Sequence, residues 1–357
     1  MTGLLRDRTT LRVGGPARRW VVAESADELI AAVASADAAG EPVLLLSGGS
    51  NMVVSDSGFD GTVVEVASGG ISSEGSFCEY NADTESTDSP TACGGFVLTV
   101  QAGEVWDDLV AYAVANELVG IEALSGIPGL VGATPIQNVG AYGQEISQVI
   151  WDVRTYDRVS GAVRTFASSD CDFSYRNSRF KSEPGRYVVL SVRMQLLQGS
   201  MSAPIRYGEL ARTLGVELGQ RAPLGEVREA VLGLRRGKGM VLDDADHDTW
   251  SAGSFFTNPV IDAAQAELLP PDAPRFPSSD GMVKTSAAWL IEHAGFGRGY
   301  GTPPVTLSNK HTLAITNRGG ATAAQVVALA REVRDGVEAR FGIRLVPEPV
   351  LVGVSLD

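Results

Sequence analysis

The sequence predicts a mixed α/β or α+β protein of two or three domains, on three observations. The chain has 357 residues, more than one small hydrophobic core organises. Its beginning runs from a helical apolar pattern at 27–39 to the apolar run VLLL at 43–46 and on to further strand-like segments, a βαβ order. Further on, residues 149–197 are dominated by strand-like runs, VIWDVRTYD and RYVVLSVRMQL.

In chain order, DELIAAVASADAA at 27–39 places apolar residues at helical spacing. VLLL is short enough for a buried strand and leads straight into SGGSN. VVSD and GTVVEV read as strands, separated by a turn at 58–61. Residues 68–95 are polar, acidic and turn-rich, and read as a surface loop or ragged hairpin. Regular structure resumes with FVLTVQAG and a helix over 106–117. A Pro- and Gly-punctuated region at 199–225 marks a boundary, and 226–236 reads as a helix ending in the basic RRGKG. Short strands follow residue 250, then a helix over 286–294. A last amphipathic helix at 322–341 sets Val326, Ala330, Val333, Val337 and Phe341 on one face, with Arg331, Arg334 and Asp335 opposite. The closing IRLVPEPVLVG reads as a strand interrupted by two prolines.

Composition narrows the function. Hydrophobic residues make up 44% and charged ones 20%, the balance of a folded soluble protein. The formal net charge of −14 argues against a nucleic-acid surface, which needs clustered Lys and Arg. It leaves room for a small anionic ligand held by a few cations and backbone N–H groups. Cys78, Cys93 and Cys171 are odd in number and match no metal spacing, so no metal is expected and a reducing, cytosolic compartment is. The N-terminal stretch lacks a signal-peptide pattern, and no apolar run approaches the roughly 18 residues of a membrane span.

Five motifs can carry chemistry. The first, LSGGSNMVVSD, follows a strand. Its glycines let backbone amides approach a ligand, with Ser50 and Asn51 as side-chain donors, although a Gly-Gly pair is more often only a turn. It is neither GxGxxG nor GxxxxGK[ST]. The second, SGIPGLVGATPIQNVGAYGQE at 125–145, adds amides at Gln137 and Asn138 and a stacking face at Tyr142. Two such loops in one chain favour a dinucleotide held by backbone amides. The third, CDFSYRNSRFK, holds Arg176, Arg179 and Lys181 among aromatics, either a solvated basic turn or an arginine forked onto an anion. The fourth is GSFFTNP, whose Ser254 is either a satisfied core hydroxyl or a proton donor shielded from water. The fifth is PEP, where Pro347 and Pro349 fix the backbone around Glu348.

In their order and spacing these motifs, with TTLRVGGPA before them and KTSAAWLIEHAG between the last two, resemble the UDP-N-acetylenolpyruvoylglucosamine reductase family over nearly the whole chain. The resemblance implies an α+β fold: a two-subdomain FAD-binding portion, vanillyl-alcohol-oxidase-like, at 1–66 and 67–220, an α+β substrate domain at 221–345, and 346–357 as a strand returning to the FAD-binding portion. It implies non-covalent FAD, NADPH as reductant and a UDP-sugar enolpyruvyl ether as substrate, reduced during peptidoglycan precursor synthesis. The FAD-holding segments carry over to Arg12, Val13, Gly14 and Gly15; to Ser47, Gly48, Gly49, Ser50, Asn51 and Met52; and to Ile127, Pro128, Gly129, Gly132, Ala133, Gln137, Asn138, Gly140, Ala141, Tyr142 and Gly143. The catalytic positions carry over to Ser254, Arg176 and Glu348. By resemblance, a hydride passes from NADPH through the flavin N5 to the outer enolpyruvyl carbon, and Ser254 protonates the neighbouring one. The family has a form with a tyrosine-bearing loop that closes over the substrate. APIRYGEL at 203–210 resembles that form, which makes Tyr207 the lid residue. Tyr175, Lys238, Asn258, Lys284 and, ranked last, His311 fall at substrate-contacting positions.

Two other readings stay open: a flavin oxidase of the same FAD-binding superfamily, and a flavin- or nucleotide-binding regulator without turnover. Neither glycine loop contains the His or Cys that covalent attachment uses, and a pure binder needs no proton donor. No second dinucleotide fold is visible, which suits NADPH and the UDP-sugar taking turns in one cleft. No heptad seam is present, so a monomer is expected. The departures from the family are the acidic insertion at 68–95 and Gly132–Ala133, where many relatives carry Gly-Gly.

Overall fold

In the computed structural model the described residues are 3–75, 95–278 and 281–357. Cys78, Cys93 and most of the acidic insertion lie outside them. The fold is mixed α and β, in two compact units. One comprises Met1–Trp20, Gly48–Thr62 and Arg236–Asp357; the other comprises Val21–Ser47 and Val63–Arg235. Ala17–Ala23, Phe59–Val66 and Val43–Leu46 form a three-stranded sheet in that order.

The second unit is built on an antiparallel sheet in the order Ala162–Ala167, Ile150–Asp157, Tyr187–Gln198, Gly95–Gln101, Ile71–Gly75, with Leu118–Val119 also pairing onto Tyr187–Gln198. Its core holds Leu98, Val100, Val153, Leu190 and Val192 with Leu29 and Val33 of the helix Ala26–Ala38 and Trp106 and Leu109 of Trp106–Ala115. Ser25 starts the former helix by accepting the Glu28 N–H. Fully buried Trp106 donates its indole N–H to the Leu124 carbonyl at 3.0 Å, which fixes the start of the glycine-rich loop against this helix. The acidic insertion leaves through the edge strand Ile71–Gly75 and returns on Gly95–Gln101, so its described ends are the two legs of a hairpin. The turn expected at 58–61 is tighter than the sequence indicates, because Gly61 already lies inside the strand Phe59–Val66. Gly58 makes the turn at φ +83, and a Cβ there would meet the Pro16 carbonyl at 1.8 Å. Residues 199–225 close on themselves through a Met201–Pro223 bridge and the helix Gly208–Leu214.

The first unit is organised around the helix Ala323–Phe341. A Thr322/Gln325 capping box starts it, Asp56 accepts the Ala323 and Ala324 N–H groups at 2.7 and 3.0 Å, and Gly342 ends it at φ +66. Val326, Ala330, Val333 and Val337 face a core of Leu290, Ile291, Val305, Ile315, Phe255 and Phe256. Arg334 departs from the expected polar face, being only 6% exposed. Its guanidinium pairs with Asp335 and Asp357, both exposed, and the pairing offsets the cost of covering the charge. The strands Val305–Leu307 and Ile315–Asn317 form a small antiparallel sheet. Val350–Val352 pairs in parallel with Met52–Val54, joining the last strand to the first glycine loop. Among the described residues no helix is long and apolar enough to cross a membrane, and no group of three His, Cys, Asp or Glu side chains could hold a metal.

Candidate active site

In the first unit, four segments distant in sequence meet. Thr10 donates its N–H to the Gly49 carbonyl at 3.1 Å and its hydroxyl to the Ser251 carbonyl at 2.6 Å, tying TTLRVGG to both SGGSN and the segment before Ser254. Gly49 adopts φ +59, and a Cβ there would stand 2.0 Å from the Arg8 carbonyl, so only glycine lets these loops touch. Arg12, itself at φ +57, lays its guanidinium 3.7 Å from the Trp250 ring centre and pairs with Asp244. The side chains of Val13 and Met52 are buried, so only their backbone groups could meet a ligand.

Ser254 follows Gly253, which takes φ +73, and precedes Phe255 and Phe256. Both rings are core residues, 1% and 2% exposed and 5.2 Å apart in an edge-to-face pair. The Phe255 N–H donates to the Leu313 carbonyl, and the Phe255 carbonyl accepts the Glu348 N–H at 2.9 Å. The residue after Ser254 is therefore bonded to Glu348, far along the chain. Phe256 bridges Pro347, and Asn51 holds Glu348 from the other side: its side-chain amide reaches the Glu348 carbonyl at 3.4 Å and its own carbonyl accepts the Val350 N–H at 3.0 Å. The prolines flanking Glu348 have no N–H to give, so the chain is held by the donors at 348 and 350.

In the second unit, the glycine-rich loop and the Arg176 loop are one interlocked piece. Gly140–Ala141 and Gln144–Glu145 pair across a two-residue turn, with Tyr142 at φ +49 and Gly143 at φ +85. Asn138 is 1% exposed and its amide is occupied inside the loop: it donates to Glu145 at 2.9 Å and to the Ser174 carbonyl at 3.1 Å, and accepts from Ser147 N–H. It shapes the loop rather than presenting its amide outward. Arg176 sits at φ +54 between the bridged Ser174 and Asn177, and donates to the Gly140 carbonyl at 2.7 Å and the Asn138 carbonyl at 3.5 Å. A left-handed arginine is a costly backbone choice, of the kind found at functional positions. Lys181 donates to the Arg176 carbonyl at 2.9 Å. Exposed Tyr207 meets Tyr142 edge to face, 5.4 Å between centroids. Burial pushes the guanidinium of Arg235, near the end of the helix Leu224–Gly237, down to about 10, with Tyr142 and Asp107 opposing.

The other substrate candidates divide likewise. Tyr175 stands beside Arg176, its ring 5.5 Å from the guanidinium. In the first unit, Lys284 pairs with Val260 in a short sheet. The side-chain carbonyl of Asn258 accepts the Ala287 N–H at 2.9 Å, holding the start of the helix Ala287–His293. Lys238 follows the helix Leu224–Gly237, and His311 lies in the turn before Ile315–Asn317. Sequence reading passed over Asn317, which is 2% exposed. It donates to the Leu11 and Arg12 carbonyls and accepts from Gly319 and Ala321 N–H, so it holds the TTLRVGG loop. Its signal was Asn-Arg-Gly-Gly, an Asx-turn sequence.

These loops suit FAD. Among the described residues the buried Ser47 hydroxyl has no hydrogen-bond partner, which marks it as a donor fit for a ligand. The backbone of the second glycine loop is held open at Gly126 and Gly129, at φ +71 and +123. At Gly132 a Cβ would stand 2.6 Å from the Ala102 methyl, so the loop lies flat on the sheet. The donors these loops can offer are backbone amides and hydroxyls, which can hold an anionic dinucleotide without clustered cations.

Family models match the chain as a FAD binding domain over residues 17–166 and as UDP-N-acetylenolpyruvoylglucosamine reductase, C-terminal domain, over 244–352. The reductase of Cutibacterium acnes is 56% identical over 351 residues, covering 98% of this chain and 89% of that one. That of Thermobifida fusca is 55% identical over 362 residues, covering 99% and 97%. The crystal structure of UDP-N-acetylenolpyruvylglucosamine reductase from Thermus caldophilus shares the fold, with a TM-score of 0.64 at 24% identity over 99% of this chain and 98% of that one.

Proposed function

The chain belongs to the UDP-N-acetylenolpyruvoylglucosamine reductase family, and from that premise we propose that it reduces UDP-N-acetylglucosamine enolpyruvate to UDP-N-acetylmuramate with NADPH, using non-covalent FAD. The observation that carries this reading is the bond between Phe255 and Glu348, which sets the proton donor's neighbour against the PEP carboxylate residue beside the Asn51 loop.

FAD, once bound, would supply the hydride, and NADPH would renew it. The protein's own part follows from the charge that develops. Hydride addition to an enol ether conjugated with a carboxylate leaves an enolate-like species, with negative charge on the carboxylate oxygens. Arg176, its guanidinium oriented by the Gly140 and Asn138 carbonyls, stabilises that charge. Glu348 holds or polarises the same group. Ser254 gives its hydroxyl proton to the carbanion carbon. A serine is a weak acid, but an enolate shielded from water is basic enough to accept from it, and the buried Phe255 and Phe256 give Ser254 an apolar base. Tyr207 closes over the nucleotide sugar, and Lys238 and Lys284 act as point charges toward the diphosphate. The three-part division at 66/67, 220/221 and 345/346, a monomeric state and a cytoplasmic location belong to the same reading. A buried free thiol at Cys171 suits a reducing compartment.

The test is an anaerobic visible spectrum of the purified protein, followed through NADPH and then the enolpyruvyl nucleotide. The expected result is a flavin band that bleaches and then returns. A band that bleaches and stays bleached with this substrate sinks the reductase reading. No band after added FAD sinks the cofactor reading as well.

A further inference from the structure

Glu122 lies in the turn between Leu118–Val119 and the second glycine-rich loop, and is 1% exposed. Its carboxylate accepts three hydrogen bonds, all from neutral donors: Gly120 N–H at 2.7 Å, Ala203 N–H at 2.7 Å and the Gln144 side-chain amide at 2.9 Å. A buried carboxylate without such donors is costly, so the three segments that supply them are held where the carboxylate needs them. Gln144 completes the ring by accepting the Ala123 N–H at 2.8 Å.

The identity of those segments gives the network its meaning. Gln144 directly follows the Tyr142–Gly143 turn. Ala203 is the root of the segment that reaches Tyr207 four residues later. Ile205, between them, is 4% exposed in a small core with Ala123, Leu210, Ala211 and Ala222, against which Tyr142 packs. Tyr207 then stands at the start of the helix Gly208–Leu214 and meets Tyr142 edge to face.

We propose that Glu122 is a positioning residue for substrate closure: through Ala203 and Gln144 its carboxylate fixes the root of the 203–207 segment to the loop that carries Tyr142, and so sets the point from which Tyr207 reaches the substrate. This rests on the reading of Tyr207 as the residue that closes over the nucleotide sugar.

The test uses FAD-loaded enzyme with Glu122→Gln, which keeps the shape but turns one acceptor into a donor among donors. Hydrogen exchange in residues 203–207 should quicken about tenfold. KM for UDP-N-acetylglucosamine enolpyruvate should rise about tenfold, while bleaching of the flavin band by NADPH stays within about twofold. Combined with Tyr207→Ala, the two KM effects should be less than additive, because one acts through the other. Ala203→Pro removes one donor and leaves the carboxylate in place; it should reproduce the KM effect if Glu122→Gln does not fold. Unchanged exchange and unchanged KM in Glu122→Gln overturn the proposal. So does equal slowing of both half-reactions, which is the mark of a general structural loss. If Tyr207→Ala raises KM and Glu122→Gln does not, the role of Glu122 fails alone. If Tyr207→Ala itself leaves KM unchanged, the lid reading fails and takes the proposal with it.

Discussion

The residues that carry the proposed chemistry are held mainly by backbone groups. Ser254 is fixed by its neighbours: Phe255 bonds Leu313 on one side and Glu348 on the other. Arg176 is aimed by two carbonyls. A side chain can therefore be exchanged with little disturbance to the frame, which makes substitution at Ser254 informative. Ser254→Ala should leave flavin reduction by NADPH within about twofold and slow reoxidation by the enolpyruvyl nucleotide by about a thousandfold, the scale of a lost general acid. Ser254→Cys should retain more than the alanine, since a thiol still donates. Stopped-flow absorbance of the two half-reactions separates them, and equal slowing of both refutes the role given to Ser254. The motifs around Ser254, Arg176 and Glu348 are plain in the sequence, and the resemblance to the reductase family is what assigns them catalytic roles. The work of Asn317, Thr10 and Glu122 was not, because each acts by bonding backbone groups of distant segments, which no local pattern encodes.

At the scale of elements, helices and long strands were legible from periodicity, and their margins were set by contacts. The helix expected at 106–117 ends as Trp106–Ala115, with Glu117 turned to φ +56. The acidic insertion is the clearest case. Its first described residues are an edge strand on the main sheet, so excising all of 68–95 would remove paired backbone. A deletion confined to 76–94, closed by a short turn, should leave turnover unchanged; a large loss of activity in a folded variant would give the insertion a role. The hairpin of Ile150–Asp157 and Ala162–Ala167 closes on Asp157, whose side chain is fully buried and accepts Arg186 through two nitrogens at 3.0 Å. The Arg186 guanidinium holds its carboxyl well below the usual carboxylate range, against the opposing effect of burial. A depressed carboxylate contributes stability above its unfolded pKa of about 3.9 and loses that contribution as pH falls through its folded one. Urea midpoints should therefore fall more steeply below about pH 4 for the wild type than for Asp157→Asn. Parallel curves would remove Asp157 from the account.

Across the whole molecule, the first unit is assembled from three separated stretches of chain. Leu11, Val13 and Val53 share a core with Val333 and Leu356, and Val350–Val352 completes a ladder begun at Met52–Val54. The last residues thus finish a core started near the beginning. Leu356, 4% exposed, tests this. Leu356→Ala should cost about 2–4 kcal/mol, the range for a large side chain removed from a well-filled core. Thermal unfolding of the apoprotein reads it, and an unshifted transition would mean the terminal segment is peripheral to the unit.

By itself the sequence determined the mixed α and β character, the positions of the longer helices and strands, the family by resemblance and the residue types fit for the chemistry. These follow from periodicity, from glycines where backbone must approach backbone, and from the rarity of five motifs in one order. Only the tertiary structure decided that Asn51 holds Glu348, that Asn138 shapes its own loop, that Arg334 is buried while its partners Asp335 and Asp357 stay exposed, and that Glu122 ties the root of the Tyr207 segment to the Tyr142 loop. Each of these depends on a contact that local pattern does not encode, and hydrogen bonding and burial are satisfied in space rather than in sequence order.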